Sequence, residues 1–242
     1  MPSEAAPSAA IPAVGEAAPS AIEIDGVTVE RDGRAILRGV SARLAARRTA
    51  VIGANGSGKS TFVRLLNGLV LPTVGAVTVD GLDTRRDARA VRRRVGFVFT
   101  DPQAQILMPT AVEDLRLSLR GRPRKEIDRR VAEALHAHGL EDRGDIPASA
   151  LSGGQKQLLA LASVLIADPA LLVADEPTTL LDLRNARRIG DLLLAGPARL
   201  VVATHDLDLA ARCDHALLFD DGAITASGDP ATVIDAYRRS CA

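Results

Sequence analysis

The chain has 242 residues, 47% of them hydrophobic and only 2% aromatic, with a formal net charge of +0. That is apolar material for one sizeable core or two small ones, filled by Leu, Val, Ile and Ala, and the charge balance gives no global sign of a nucleic-acid or anionic-membrane partner. The two cysteines, Cys213 and Cys241, lack metal-ligand spacing and indicate a reduced cytosolic protein, and no apolar run approaches the roughly 18 to 20 residues that a membrane-spanning helix needs.

Residues 1–20 are rich in Ala, Pro and Ser. They lack the basic start and continuous apolar stretch of a secretion signal, and are expected to form a disordered tail. Any membrane role must then come through partner proteins. IEIDGVTVERDG alternates apolar and polar residues, which predicts half-buried strands turning at Asp32-Gly33. GAVTVDG repeats that pattern. Between the two, a short apolar run (Ala50, Val51, Ile52) leads into glycines and then a helical pattern closed by Gly68.

This strand-to-helix junction reads Gly53-Ala54-Asn55-Gly56-Ser57-Gly58-Lys59-Ser60, followed by Thr61. It matches G-x-x-x-x-G-K-[ST]. The glycines let the backbone curl so that several N–H groups point at phosphate oxygens, and the helix start adds its positive dipole end. Lys59 should reach the terminal phosphates, and the Ser60 hydroxyl should ligate Mg2+. The motif marks a P-loop NTPase but does not separate GTPases, kinases and motor ATPases.

TRRDARAVRRRVG follows, a dense basic run with Asp83 and Asp87 nearby. Such runs are mostly solvated faces; contact with a partner or with lipid headgroups is the alternative. FVFTDPQAQILM then starts as a buried strand, breaks at Asp101-Pro102 and ends in the bare apolar side chains Ile106, Leu107 and Met108. From Thr110 to Leu151 the pattern is helical. Thr110 to Glu113 fits a capping box, and RKEIDRRVAEALHAHG places Ile127, Val131 and Leu135 on one stripe ended by Gly139. His136 and His138 have no ligand partner at helical spacing and are expected to be exposed.

LSGGQKQ, residues 151–157, opens a helix with the stripe Leu158, Leu161, Ala162, Leu165 and Ile166. Ser152, Gly153, Gly154 and Gln155 thus form a second anion-binding helix start, with bare N–H groups and no bulk. Two further apolar runs, ALLVADE and RLVVATHD, are short and end in polar residues, as central strands of a parallel sheet do. Asp175 would hold the metal through a water, and Glu176 would polarise the attacking water. Cys213 is expected to be a small buried residue. The elements predict an α/β fold with a mostly parallel sheet, an antiparallel β edge near the N-terminus and a small helical insertion.

GANGSGKST, LSGGQKQ, LLVADEP, TTLLD and VVATHD stand in one order and cover nearly all of the chain after residue 21. In this they resemble the ATP-binding-cassette ATPases. The resemblance implies a RecA-like core with an N-terminal antiparallel β subdomain and a helical subdomain at about residues 101–155, together one ATP-binding domain over residues 21–242. It also implies a head-to-tail dimer of two such subunits. Each nucleotide would be held by the phosphate loop of one copy and by Ser152, Gly153, Gly154 and Gln155 of the other. Asp182 would sit at the dimer seam, and His205 resembles the switch histidine that contacts the γ-phosphate.

Two positions depart from that family. The residue after the VGFVF strand is usually a glutamine that senses the γ-phosphate and Mg2+; here it is Thr100. Thr100 would act through a water bridge, or Gln103 or Gln105 would reach back, or the metal would be held more loosely. The aromatic residue that usually stacks on adenine before the DGR turn is replaced by Arg31, whose planar guanidinium could stack instead and would loosen base selectivity toward GTP. DPQAQILMPTAVEDL is similar to the matching segment of energy-coupling-factor vitamin transporters. Within that group the ILMPT, LSGGQKQLLALASVL and EPTTLLDLRN runs most resemble the ATPase subunit of biotin transporters. This implies peripheral attachment to the cytoplasmic face of the inner membrane. A transmembrane coupling protein would dock near Gln105 to Met108, alongside a substrate-binding membrane protein, with no nucleic-acid partner. In the alternative, Ile106 and Leu107 fold back into the helical part. A soluble cassette ATPase, the ATPase subunit of an importer for another vitamin or a metal ion, and a weakly hydrolysing nucleotide-gated module are the competing readings.

Overall fold

The structure is a computed structural model that describes residues 21–241. The expected tail, residues 1–20, lies outside the described residues. Strand β1 (Ile22–Arg31) buries Ile22 and Ile24, then Val27 and Val29. Its inward count changes from even to odd because a bulge at Gly26 (φ 55°) resets the alternation. Strand β2 (Arg34–Leu44) pairs with β1 across Asp32-Gly33, whose φ values of 51° and 71° form the tight turn that Asp-Gly favours. With β4 (Val74–Val79) and β5 (Leu82–Asp83), these strands build an antiparallel sheet in the order β2-β1-β4-β5.

The second sheet has the order β10-β9-β3-β8-β7-β6. Its parallel part consists of β3 (Arg48–Gly53), β6 (Val95–Val98), β7 (Leu171–Asp175), β8 (Arg199–Ala203) and β9 (His215–Asp220). Both faces are covered. Val51, Val173, Val201 and Ala203 face the antiparallel sheet and helix α1 (Lys59–Leu65). Ala50, Ile52, Leu172, Ala174, Leu200 and Val202 face the other helices. That double burial is why these strands read as continuous apolar runs.

The sequence reading did not foresee β10 (Ala223–Gly228), which pairs antiparallel with β9 through another Asp-Gly turn at Asp221-Gly222. The chain past Ala203 also forms helices α7 (Leu207–Ala211) and α8 (Pro230–Ser240), which pack on the parallel sheet. Cys213 is buried there, and burial pushes its thiol up to about 12.

After helix α2 (Ala88–Arg94) and β6, the chain enters helices α3 (Ala111–Ser118) and α4 (Arg124–His138), which share a core with α5 (Gly153–Leu165). The Thr110 to Glu113 capping box forms as read, and Gly139 (φ 63°) ends α4. Val131 and Leu135 are buried, with Ile127 packed beside them. One expectation fails. His138 is buried, because the end of α4 packs against α6 (Leu183–Ala195), where Arg188 Nη2 donates to the His138 carbonyl at 2.8 Å. Its Nδ1 lies 2.8 Å from the Ala134 carbonyl, and burial holds its pKa below the usual histidine value. His136 is exposed, as expected.

The loop after β6 is anchored by a residue the sequence did not single out. Asp114 on α3 is buried. Its Oδ1 accepts from the Leu107 and Met108 amides at 2.8 and 3.1 Å, and its Oδ2 from the Ser163 hydroxyl at 2.6 Å. Asp114→Ala strands three donors and is expected to cost about 3 kcal/mol. At this chain length that lowers the melting temperature by about 6–12 °C. Thermal denaturation checks the loss, and hydrogen exchange should quicken first at the Leu107 and Met108 amides.

Candidate nucleotide site

At the C-terminal end of β3 the chain leaves the sheet in conformations that favour glycine: Gly53 at φ 142°, Gly56 at 80° and Gly58 at 103°. A Cβ on Gly53 would lie 2.1 Å from the Phe219 carbonyl oxygen, and one on Gly58 would lie 2.8 Å from Leu37 Cδ2. The loop is therefore pressed against β9 and β2 and cannot carry side chains there. Inside it, the Ser57 hydroxyl is buried with no protein partner, so the loop holds a polar atom that still needs one. Lys59 folds back on the loop, its Nζ donating to the Gly53 and Ala54 carbonyls at 2.8 and 2.9 Å. Burial draws its pKa below the usual lysine value, while the Glu176 and Asp175 carboxylates pull the other way.

The cavity in front of this loop measures about 390 Å³. Asn55, Gly56, Gly58, Lys59, Ser60 and Thr61 form one wall; Thr100, Glu176, Thr179 and His205 form the other. With Ile36 from β2, residues from five separate stretches of chain thus converge on one space.

Asp175 ends β7 fully buried. Its Oδ1 accepts from the Ser60 hydroxyl at 2.7 Å and its Oδ2 from Arg64 Nη2 at 2.9 Å. Arg64, on α1, escaped the sequence reading; its place five residues past Lys59 carries no signal without the fold. Glu176 follows in a left-handed conformation (φ 50°), which costs a non-glycine residue about 1–2 kcal/mol. The strain turns its carboxylate away from the strand and into the cavity. There Glu176 Oε2 lies 2.6 Å from His205 Nδ1 and accepts from Thr179 Oγ1 at 3.3 Å.

Thr100 lines the cavity, and its hydroxyl donates to the Asp175 carbonyl at 2.8 Å. Neither nearby glutamine reaches back to this wall. Gln105 is tied between β6 and α5, accepting from the Phe99 amide at 3.1 Å and donating to the Ala160 carbonyl at 2.7 Å. Gln103 lines a separate groove of about 500 Å³, with Ile106, Leu107, Pro109, Pro147 and Lys156. The fold-back reading of the apolar tip holds for Ile106, which packs on the helical core, and fails for Leu107, which is 72% exposed. Arg31 ends β1 exposed and opposite Arg34 and does not line the cavity, whereas Ile36 on β2 does.

Ser152 caps α5, accepting from the Gln155 amide at 3.3 Å, while Gln155 Oε1 accepts from the Ser152 amide at 2.9 Å. This reciprocal cap lets a helix begin on two glycines. Gly153 faces open space. None of Ser152, Gly153, Gly154 and Gln155 lines the cavity of its own chain. Asp182 caps α6, its two oxygens accepting from the Asn185 amide and Nδ2 at 2.8 and 2.7 Å, and the Asn185 amide holds its carboxyl below the usual range. Beside it Leu180 and Leu183 are 92% and 67% exposed.

Among the described residues no group of three or more His, Cys, Asp or Glu could hold a metal by itself. The donors present are hard oxygens, Ser60 Oγ on the cavity wall and Asp175 Oδ1 buried 2.7 Å behind it. They fit Mg2+, which takes one or two protein oxygens together with phosphate and water.

A family model described as ABC transporter matches residues 37–179. Over 223 residues the chain is 40% identical to the biotin transport ATP-binding protein BioM of Rhizobium etli, covering 91% of this chain and 99% of that protein. Over 232 residues it is 41% identical to the nickel import ATP-binding protein NikO of Rhodobacter capsulatus, covering 88% and 91%. Among solved structures it resembles cbiO1 from Clostridium perfringens, part of the ABC transporter complex cbiONQ. That match has a TM-score of 0.79 at 31% identity and covers 88% of this chain and 90% of that one.

Proposed function

The chain belongs to the ABC transporter family and is an ATPase of an importer, and from that premise we propose that it powers an energy-coupling-factor importer of biotin. The observation that carries the chemistry is the Glu176–His205 pair facing Lys59 across one cavity.

In this reading the phosphate-loop amides and Lys59 hold the triphosphate, and Ser60 and Asp175 hold Mg2+, with Thr100 acting through water. Mg2+ neutralises charge on the phosphate oxygens. Glu176 accepts a proton from water as the water oxygen bonds to the γ-phosphorus; the bond to the bridging oxygen breaks, and ADP and phosphate leave. His205 orients Glu176 and approaches the γ-phosphate. Arg64 keeps the Asp175 charge compensated inside the protein.

The signature residues do not line their own cavity, so a second copy of the chain is the partner that would bring Ser152, Gly153 and Gly154 to the phosphates. Exposed Leu180 and Leu183 flank Asp182 at that seam. The groove at Gln103 to Pro109 is the seat for a transmembrane coupling protein, which would hold this subunit, and with it a substrate-binding membrane protein, at the cytoplasmic face of the inner membrane. No helix among the described residues is long and apolar enough to cross a membrane. Arg31 would reach adenine only by swinging over the β1–β2 turn, and GTP competing with ATP would be its signature.

Uptake of labelled biotin in cells with and without this chain tests the cargo. Biotin uptake that disappears with the chain supports the reading; loss of nickel uptake alone would transfer it to the second reading, which the NikO relative favours. Leu107→Asp is expected to leave the ATPase rate of the isolated chain within twofold while abolishing co-purification with the membrane protein, as read by affinity pull-down.

A further inference from the structure

The zero net charge conceals a strongly basic surface. Residues 83–94 hold six arginines against two aspartates. Both acids are engaged locally: Asp83 Oδ1 accepts from the Arg85 and Arg86 amides at 2.8 and 2.9 Å, and Asp87 Oδ2 from the Asp83 amide at 3.0 Å. Helix α2 turns Val91 inward, which puts Arg89 and Arg93 on its opposite face. Arg86, Arg89, Arg92 and Arg93 are exposed, and none of the four forms an ion pair among the described residues.

Three exposed apolar side chains stand beside this run: Leu69 (47%), Leu71 (45%) and Val74 (61%). The two sets share one piece of surface. The Arg85 guanidinium donates to the Pro72 carbonyl, and Pro72, Gly75, Thr84, Arg85 and Arg86 line a single shallow cleft of about 150 Å³. Leu71 and Val74 adjoin Pro72 and Gly75 in the chain, and Gly68, next to Leu69, packs on Thr84, so cations and apolar tips meet at this cleft, which shares no lining residue with the ATP cavity or with the groove at Leu107.

We propose that this surface binds an anionic lipid bilayer, the arginines meeting headgroup phosphates and Leu69, Leu71 and Val74 entering the headgroup–acyl boundary. A bilayer offers negative charge and apolar matter within a few ångströms of each other, which is what the surface displays. Nucleic acid offers no partner for the apolar side chains, and the patch carries no aromatic ring for base stacking. An acidic protein segment would need a groove, and the cleft is too small to seat one. The proposal is independent of cargo and of the coupling protein, since it concerns the chain alone.

Flotation of the purified full chain with vesicles tests it. The wild-type chain should float with vesicles of phosphatidylglycerol and phosphatidylcholine at a 3:7 ratio, stay behind with pure phosphatidylcholine, and be released largely at 0.5 M salt. Each neutralised arginine should weaken partitioning about fivefold, so R86Q/R89Q/R92Q/R93Q should lose more than about 100-fold. The matching Arg→Lys variant should retain binding, and both variants should hydrolyse ATP at the wild-type rate, which shows that they fold. L71S/V74S should weaken binding severalfold even at low salt. No flotation with anionic vesicles, equal flotation of the Gln variant, or binding to polyglutamate or RNA without binding to vesicles would each overturn the proposal. Any of these results leaves the ATPase and cargo readings where they stand.

Discussion

Glu176→Gln is expected to keep ATP binding within about threefold of wild type while slowing turnover by two or more orders of magnitude. The geometry explains both halves. In the proposed reading phosphate contacts are supplied by the loop from Gly53 to Thr61, to which Glu176 makes no hydrogen bond, so ground-state binding is preserved. The amide is nearly isosteric with the carboxylate, so it keeps the unusual backbone (φ 50°) and can still accept from the Thr179 hydroxyl. What it loses is the ability to take a proton, a contribution of about 10²- to 10⁴-fold. A fall in kcat without a matching rise in KM is the signature of an interaction made only in the transition state. Single-turnover hydrolysis alongside equilibrium ATP binding separates the two. If steady-state turnover stayed within a few-fold of wild type, the base would have to be sought elsewhere on the cavity wall, and Asp175 is already committed to Ser60 and Arg64.

Gly154→Ala should be nearly as damaging, by a different route. A Cβ there would lie 2.7 to 2.9 Å from the carboxamide atoms of Asn185. That side chain is short and cannot swing away freely, because it donates to Asp182 at 2.7 Å. The added methyl must either push the start of α5 outward or break the bond at the head of α6. Overpacking of this kind costs about 1–3 kcal/mol of stability, which a domain of this size survives. Its effect on hydrolysis is larger, because in the proposed dimer the signature helix has to meet a phosphate held by another copy. A shift of about 1 Å there costs about 100-fold. ATP binding to the isolated subunit should be unchanged, while ATP-driven dimerisation measured by sedimentation, and turnover with it, collapse. Asn185→Ala in the same chain removes the obstruction and should recover the lost stability. Wild-type turnover in the Gly154→Ala chain would mean that the helix start does not work as a fixed tip.

The same contact bears on why Gly154 is a glycine at all. From sequence, the two glycines of LSGGQ are interchangeable parts of a bare helix start. In the fold, Gly153 faces open space, whereas Gly154 has lost its side chain to Asn185, a residue on another helix. The asymmetry links the signature to Asp182 within one subunit, and no local pattern could disclose it.

What could be read without coordinates was what short stretches of chain decide among themselves. The phosphate loop, the cap at Thr110, the Asp32-Gly33 turn and the apolar runs of β3, β7 and β8 each depend on neighbours a few residues apart. Backbone conformation and burial period are set at that range, and so was the α/β layout. Tertiary structure alone decided which side chains meet across long separations. Examples are Arg64 on Asp175, Asp114 holding the Leu107 and Met108 amides, Arg188 enclosing the end of α4 so that His138 is buried, and the β9–β10 edge that backs Gly53. It also decided that Thr100 faces the cavity while Gln105 is tied to α5. Such pairings follow from how the layers stack, and a partner found through packing leaves no spacing in the chain to mark it.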